Sequence, residues 1–387
     1  MHHEKGGDEM VKSIISEALE KHTEEQQKRS ALEGRGIPTV SESPDDEELK
    51  KIIEGLQVTI KIVGCGGGGC NTINRCWDAG ITGTQMAACN TDAKHLLTVH
   101  ADRKFLLGRN RTKGLGAGAI PQVGEEAARE NEAELRQFLS GSNIVFVTAG
   151  MGGGTGTGSA HAVAKIAKEA GALVMGVVTM PFKAEGAVRM QNAEWGLERL
   201  ARVSDTVITI PNDKLLELVP KLPLDQAFHV ADEILMTCIK GITEIITKPG
   251  LVNLDYSDIM TIMKGGGVAM IGLGESENST DKVSEAVEQA LSSPLLGDID
   301  ISHAKGALIR VVGGPDMTVS EAQKAAELIS AKLSPSARII WGCSIDHELE
   351  RHIKVLLILT GVKGKYFVGK EGSSGGFASA DGLDEVK

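Results

Sequence analysis

The chain has 387 residues, 41% hydrophobic but only 3% aromatic, so it is long enough for two domains whose cores must be filled by Val, Ile, Leu, Met and Ala. Lys plus Arg number 41 against 52 Asp plus Glu, a formal charge of −11 without any basic block, which excludes a nucleic-acid-binding surface. The six cysteines (65, 70, 76, 89, 238, 343) form no CxxC pair, the 65/70/76 spacing fits no zinc module, and no signal peptide or long apolar run appears. A cytoplasmic protein with reduced thiols, no metal site and no transmembrane segment is expected.

Residues 1–51 are polar and charged, with one mildly amphipathic stretch at Val11, Ile14, Ile15 and Leu19, followed by Ser41-Glu-Ser-Pro-Asp-Asp-Glu-Glu48. They read as a mobile arm containing one helix. Docking to a partner or a membrane surface is the alternative use, and its mixed charge disfavours the membrane. From Val58 onward, short apolar runs (Val58–Val63, Met86–Asn90, Ile144–Ala149, Leu173–Thr179, Thr206–Ile210) alternate with helical segments. Such alternation predicts an α/β domain over 52–223 with a doubly wound parallel sheet, whose ligand site lies at the carboxyl ends of the strands. The glycine-rich and Asn/Asp motifs are expected at those ends.

A helical pattern from Leu224 to Thr247 carries Phe228, Ala231, Ile234, Leu235, Cys238, Ile239, Ile242, Ile245 and Ile246 on a broad apolar face, and spans about 35 Å. A face that wide implies burial between two bodies, so 224–248 is placed as a central helix ended by Pro249-Gly250. A smaller α+β domain follows over 249–368. Its helices are expected near Asp258–Met263, Asp281–Leu291 and Ser320–Leu333, its strands at Val268–Gly272, Gly306–Val312, Ala337–Cys343 and Ile353–Thr360. The Gly-, Ser- and acid-rich stretch 369–387 reads as a disordered tail.

Three loops carry chemistry. Gly152-Gly-Gly-Thr-Gly-Thr-Gly-Ser159 sits between a strand and a helix, where backbone amides, the hydroxyls of Thr155, Thr157 and Ser159, and the helix dipole can hold a phosphate. It has no lysine and is not a Walker A loop, so a triphosphate there needs amides, the dipole and a bound Mg²⁺. Gly64-Cys-Gly-Gly-Gly-Gly-Cys-Asn71 satisfies GxGxxG at Gly64, Gly66 and Gly69, with Asp92 after the second strand. Alone, that fingerprint would indicate a nicotinamide oxidoreductase. The second loop favours a mononucleotide triphosphate held between two cradles, with Lys113-Gly-Leu-Gly-Ala-Gly-Ala119 closing over the terminal phosphate. Asn253-Leu-Asp-Tyr-Ser-Asp258 has two readings: Asp255 or Ser257 caps the next helix, or its carboxylates orient water and serve a neighbouring molecule's site.

Six motifs together resemble the FtsZ family of the tubulin superfamily: Gly152–Gly158, Asn90-Thr-Asp92, Thr112–Gly118, Pro181-Phe-Lys-Ala-Glu-Gly186, Ile210-Pro-Asn-Asp-Lys214 and Asn253–Asp258. The match runs from about Val58 to Val362. It implies a GTPase that polymerises head to tail and forms the cell-division ring, located in the cytoplasm at the division site. By residue-to-residue carry-over, Gly67, Gly68, Gly69, Cys70 and Asn71 meet the nucleotide at the first loop, with Asn90 and Asp92 nearby. Gly153, Gly154, Thr155, Gly156 and Thr157 hold its α and β phosphates, and Ala117 and Gly118 face the γ-phosphate. Glu185 and Arg189 sit at the ribose, Asn212 and Asp232 at the guanine, and Phe228 stacks on the base. Asn253, Asp255 and Asp258 enter the next subunit's pocket as the catalytic loop.

The cofactors implied are GTP/GDP with Mg²⁺ bound through the phosphates. The partner implied is the protein itself, with membrane-anchor or paralogous division proteins reached through the arm or the tail. Cys70 stands where glycine is usual, and the long arm and Gly265-Gly-Gly267 turn look archaeal. A tubulin-like filament for cell shape or plasmid movement is the same-fold alternative, and a nicotinamide enzyme the remote one.

Overall fold

The computed structural model describes residues 58–218, 223–248, 255–277, 281–297, 299–347 and 349–362. The expected arm, the Pro249-Gly250 stop, Asn253 and the tail lie outside them. Along the chain the elements are β1 (Ile60–Cys65), α1 (Gly66–Asp78), β2 (Thr84–Asn90), α2 (Ala93–Leu97), β3 (Arg103–Leu106), α3 (Arg109–Thr112), α4 (Pro121–Glu130) and α5 (Glu132–Leu139). Then come β4 (Ile144–Gly150), α6 (Thr155–Glu169), β5 (Leu173–Met180), α7 (Ala187–Val203), β6 (Thr206–Pro211), α8 (Asn212–Leu218) and α9 (Leu224–Thr247). The remainder is α10 (Tyr256–Met263), β7 (Gly267–Ser276), α11 (Lys282–Leu291), β8 (Gly306–Gly313), α12 (Val319–Ser330), β9 (Arg338–Ile345) and β10 (Ile353–Thr360).

The strands form one sheet in the order β3-β2-β1-β4-β5-β6-β7-β10-β8-β9. Strands β1 to β6 are mutually parallel. Every residue of β1, β5 and β6 is buried, as the apolar runs require when helices cover both faces of a parallel sheet. Strand β3 was not foreseen. It is a four-residue edge strand with Arg103 and Lys104 exposed and only Phe105 buried, so it shows no apolar run, and its charges suit an edge.

The second domain joins the first through hydrogen bonds: Thr206–Ile208 of β6 pair in parallel with Gly267–Ala269 of β7. Beyond that seam β10 runs antiparallel between β7 and β8, and β9 pairs parallel with β8.

Helix α9 occupies the expected residues. Its Leu235, Cys238, Ile239 and Ile242 share one core with Ile62, Phe146 and Met175 of the first domain and with Leu308, Leu356 and Ile358 of the second. Glu244 near its end is 8% exposed and takes both the Arg310 guanidinium of β8 and Lys248. Burial pushes that carboxyl's pKa up, but the hydrogen bonds to Lys248 and Arg310 outweigh it, and the net shift is downward. An ion pair so enclosed holds α9 against the second domain, and loss of one partner would strand a buried charge.

Candidate nucleotide site

The first phosphate loop and the opening of α1 lie against the second loop at the carboxyl ends of β1 and β4. A Cβ on Gly66, whose φ is +71°, would come 2.5 Å from the Gly156 nitrogen, so the two loops touch backbone to backbone. A Cβ on Gly64 would come 2.3 Å from the Gly69 carbonyl oxygen and one on Gly69 2.4 Å from the Thr148 carbonyl oxygen, so only glycine lets α1 approach β1 and β4 this closely. The 112–120 segment is held the same way: a Cβ on Gly154 would meet the Ile120 nitrogen at 2.8 Å, and one on Gly158 the Pro121 carbonyl at 1.9 Å.

Gly67, Gly153 and Gly118 differ: nothing lies within 4 Å of where their Cβ would be. The glycines of the fingerprint (64, 66, 69) are therefore used to pack protein on protein, whereas Gly67, Gly153 and, in the third loop, both Gly116 and Gly118 border open space. Gly67 opens α1 after β1 and Gly153 precedes α6 after β4, so both lie at carboxyl ends of strands, where backbone amides can meet an anion.

The loop hydroxyls brace the loop itself. Thr155 Oγ1 lies 2.6 Å from Thr91 Oγ1, Thr157 Oγ1 accepts from the Gly152 N–H at 2.9 Å, and Ser159 donates to the Thr155 carbonyl at 2.6 Å. This corrects the expectation for Ser159, whose hydroxyl proton is committed to its own helix, whereas Thr157 accepts here and keeps its hydroxyl proton to donate. Asn192 on α7, which sequence reasoning missed, donates to the carbonyls of Ala119 and Gly152 at 3.2 and 3.4 Å and ties the third loop to the second.

Two other expected residues serve the fold. Cys70 is fully buried, its Sγ between the carbonyls of Gly64 and Cys89, so it offers no side chain to a ligand. All six cysteines are buried and none is in a disulfide. Asp92 caps α2, its Oδ1 accepting from the amides of Lys94 and His95 at 2.9 and 3.1 Å. That carboxylate is occupied as a cap, which removes the acid a dinucleotide fingerprint needs at the ribose. Asn90 and Asn71 are both within hydrogen-bond reach of His95, another residue the motifs did not reveal.

After β6, α8 and α9 carry the residues expected at the base. Phe228 is 37% exposed and set edge-on against the buried Phe182, centroids 5.1 Å apart. One turn on, Asp232 is 9% exposed. Burial pushes its carboxyl up to about 7, against the pull of Arg75 and of a hydrogen bond from Asn71. Asn212 is 3% exposed and its Oδ1 has no hydrogen-bond partner among the described residues. An orphaned buried acceptor costs about 1–3 kcal/mol, which a ligand N–H would recover. Glu185 accepts from the Phe182 amide at 2.9 Å and pairs with Arg189, so the segment between β5 and α7 is self-braced.

The pair Asp255 and Asp258 lies elsewhere. Asp255 is the N-cap of α10: its Oδ1 accepts from the Asp258 amide at 2.9 Å and the Ser257 hydroxyl at 2.6 Å, while Asp258 Oδ2 accepts from the Asp255 amide at 3.2 Å. The next residue, Tyr256, donates to the carbonyl of Asn143 at 3.3 Å, immediately before β4, whereas the phosphate loop follows β4. Seven residues of strand separate the two ends, about 23 Å. The described part of that motif, Asp255–Asp258, thus departs from the expectation that every motif sits at a carboxyl end, because Tyr256 at the start of α10 bonds the residue before β4. The Ser257 hydroxyl and the Asp258 amide hold the Asp255 carboxyl below the ordinary carboxylate range, and Asp255 is exposed. Both readings of the motif coexist: it caps a helix, and it presents an ionised carboxylate to solvent. Among the described residues no group of three His, Cys, Asp or Glu is placed to hold a metal.

Two family profiles match the chain: "Tubulin/FtsZ family, GTPase domain" over residues 59–220 and "FtsZ family, C-terminal domain" over 267–363. The chain is 55% identical over 362 residues to cell division protein FtsZ 1 of Archaeoglobus fulgidus, covering 94% of this chain and 96% of that protein. It is 54% identical to cell division protein FtsZ 1 of Thermococcus kodakarensis, over 92% and 94% of the two chains. A solved FtsZ dimer from M. jannaschii superposes with a TM-score of 0.78 at 51% identity, covering 83% of this chain and 93% of that one.

Proposed function

The chain belongs to the FtsZ family of tubulin-like GTPases, and from that membership we propose that each copy carries a GTP pocket at one end of its sheet and the water-orienting carboxylates of its neighbour's pocket at the other. The protein is a GTP-hydrolysing, polymerising protein of cell division. The observation supporting the split site is the separation of Asp255 from the phosphate loop by the length of β4, together with the exposure of that carboxylate.

In this reading the amides around Gly67, Gly68, Gly153, Gly154, Thr155, Gly156 and Thr157 take the α and β phosphates. Ala117 and Gly118 close on the γ-phosphate, and Glu185 and Arg189 border the ribose. Phe228 stacks on the base, while Asn212 and Asp232 accept from guanine N–H groups. Adenine offers no donor matching the two on guanine N1 and N2, so Asp232 rejects ATP by leaving a desolvated carboxyl unpaired. Mg²⁺ carried by the phosphates would neutralise charge that no lysine in the 152–159 loop meets.

The low pKa of Asp255 makes it a poor base and a persistent hydrogen-bond acceptor. Its task is to orient the attacking water in line, aided by Asp258 and, two residues earlier in the sequence, by Asn253. An interface that joins one end of a molecule to the other end of the next is heterologous and propagates into a filament. Action at the division site and recruitment of an anchor follow from the same reading. No helix among the described residues is long and apolar enough to cross a membrane.

Sedimentation with GTP, GDP and ATP in parallel tests the proposal. Pelleting that depends on GTP, with ATP inert, is expected; pelleting indifferent to the base would reject the assigned pocket.

A further inference from the structure

A directional hydrogen-bond chain runs beneath the pocket, and its polarity is fixed at one end. The backbone N–H of Asp92 donates to Asn90 Oδ1 at 3.2 Å, which settles the oxygen end of that amide. Asn90 Nδ2 therefore donates, and the atom it meets at 3.0 Å is His95 Nδ1, which must accept. A neutral imidazole that accepts at Nδ1 carries its proton on Nε2, and Nε2 lies 3.1 Å from Asn71 Oδ1. Asn71 is then left with its amide N–H groups to donate, and its side chain is one of the groups that draw the Asp232 carboxyl's pKa downward against burial.

We propose that His95 is a positioning residue: held as the Nε2–H tautomer by Asn90, it orients the Asn71 amide so that Asp232 is aimed to accept from guanine. The inference rests on the proposed GTP pocket and adds a residue to it. His95 touches no nucleotide, and it acts through Asn71.

The chain also reaches the third loop. The Ala93 amide donates to the Gly114 carbonyl at 3.1 Å and the Gly116 amide to the Thr91 carbonyl at 3.1 Å, so the segment bearing Asn90 and His95 is clamped to the loop assigned to the γ-phosphate. His95 thus bridges the base-reading end of the pocket and its γ-phosphate end. Replacing it with Leu keeps bulk but breaks both bonds. Gln can restore both, with its oxygen accepting from Asn90 and its nitrogen donating to Asn71.

Dissociation constants of the full chain for GTP and for ITP, which lacks the 2-amino donor, test this with His95→Leu and His95→Gln. The expected result is that Leu weakens GTP about tenfold and narrows the preference for GTP over ITP, while Gln returns both to within about threefold of the parent. GTP binding unchanged in Leu, or a loss that Gln does not repair while ITP falls in parallel, overturns the role of His95. Absence of guanine-nucleotide binding by the parent would defeat the pocket assignment itself, and this inference with it. Should Leu not fold, the imidazole ¹⁵N signature of His95 in the parent decides alone: an Nε2–H tautomer is required, and an Nδ1–H ring contradicts the proposal.

Discussion

The two ends of the parallel sheet are built on opposite plans. At the carboxyl end, three glycine-bearing loops interlock backbone to backbone, with Gly66 against Gly156 and Gly158 against Pro121, so the cradle is rigid before any ligand arrives. At the amino end, α10 begins with two exchanged hydrogen bonds between Asp255 and Asp258 and stands open to solvent. A rigid end suits selective binding, since an anion that pays little to order the loop binds tighter. An open carboxylate with no substrate of its own suits a surface completed by another copy. On the proposed divided site, binding and turnover stand apart by the length of a strand.

The largest effect should come from breaking the open end alone. Asp255→Asn keeps a competent helix cap, because Asn caps as well as Asp, but removes the charge. Phosphate release should fall about 100-fold or more, while GTP affinity, measured by equilibrium binding, stays within about twofold. Asp232→Ala should do the reverse, lowering GTP affinity about 10- to 100-fold as a charged acceptor is lost. Equal loss of binding in both variants would erase the distinction between the ends.

A pH titration sharpens the same point. Free Asp232 holds its proton up to about pH 7 and must lose it to accept from guanine, so affinity should rise with pH. Below that value it should fall about tenfold per unit, with the guanine-dependent part of the slope absent in Asp232→Ala.

The smallest contrast lies within the cradle. A Cβ at Gly158 meets a carbonyl at 1.9 Å, so Gly158→Ala should lower the melting temperature, an overpacking cost of about 1–3 kcal/mol. Gly153 borders open space, so Gly153→Ala should leave the melting temperature unchanged and weaken GTP a few-fold. Identical effects of the two would mean that the open glycines do not face a ligand.

Much of this was legible in the residues. Helix α9 could be read to its ends because its apolar face is unbroken from Phe228 to Ile246, and the helix ends at Thr247 where that pattern runs out. Strands β1, β4, β5 and β6 announced themselves as apolar runs because helices bury both their faces. Strand β3 did not, since an edge strand needs only one buried side chain, here Phe105. The seam between β6 and β7 was invisible because backbone pairing of Thr206 with Gly267 leaves no side-chain signature. Within the proposed site, the motifs picked out the loops but not which glycines pack and which are open, as Gly153 and Gly158 are chemically identical. Asn192 and His95 escaped because each works through partners remote in sequence, Ala119 and Asn71 respectively, and no local pattern encodes such a bond.

The account stands most directly on the rate of phosphate release per molecule as protein concentration is lowered, followed alongside sedimentation. A divided site predicts a rate that rises from near zero in the monomer to a plateau as filaments form. A rate per molecule that stays constant down to concentrations where only monomer sediments would contradict it.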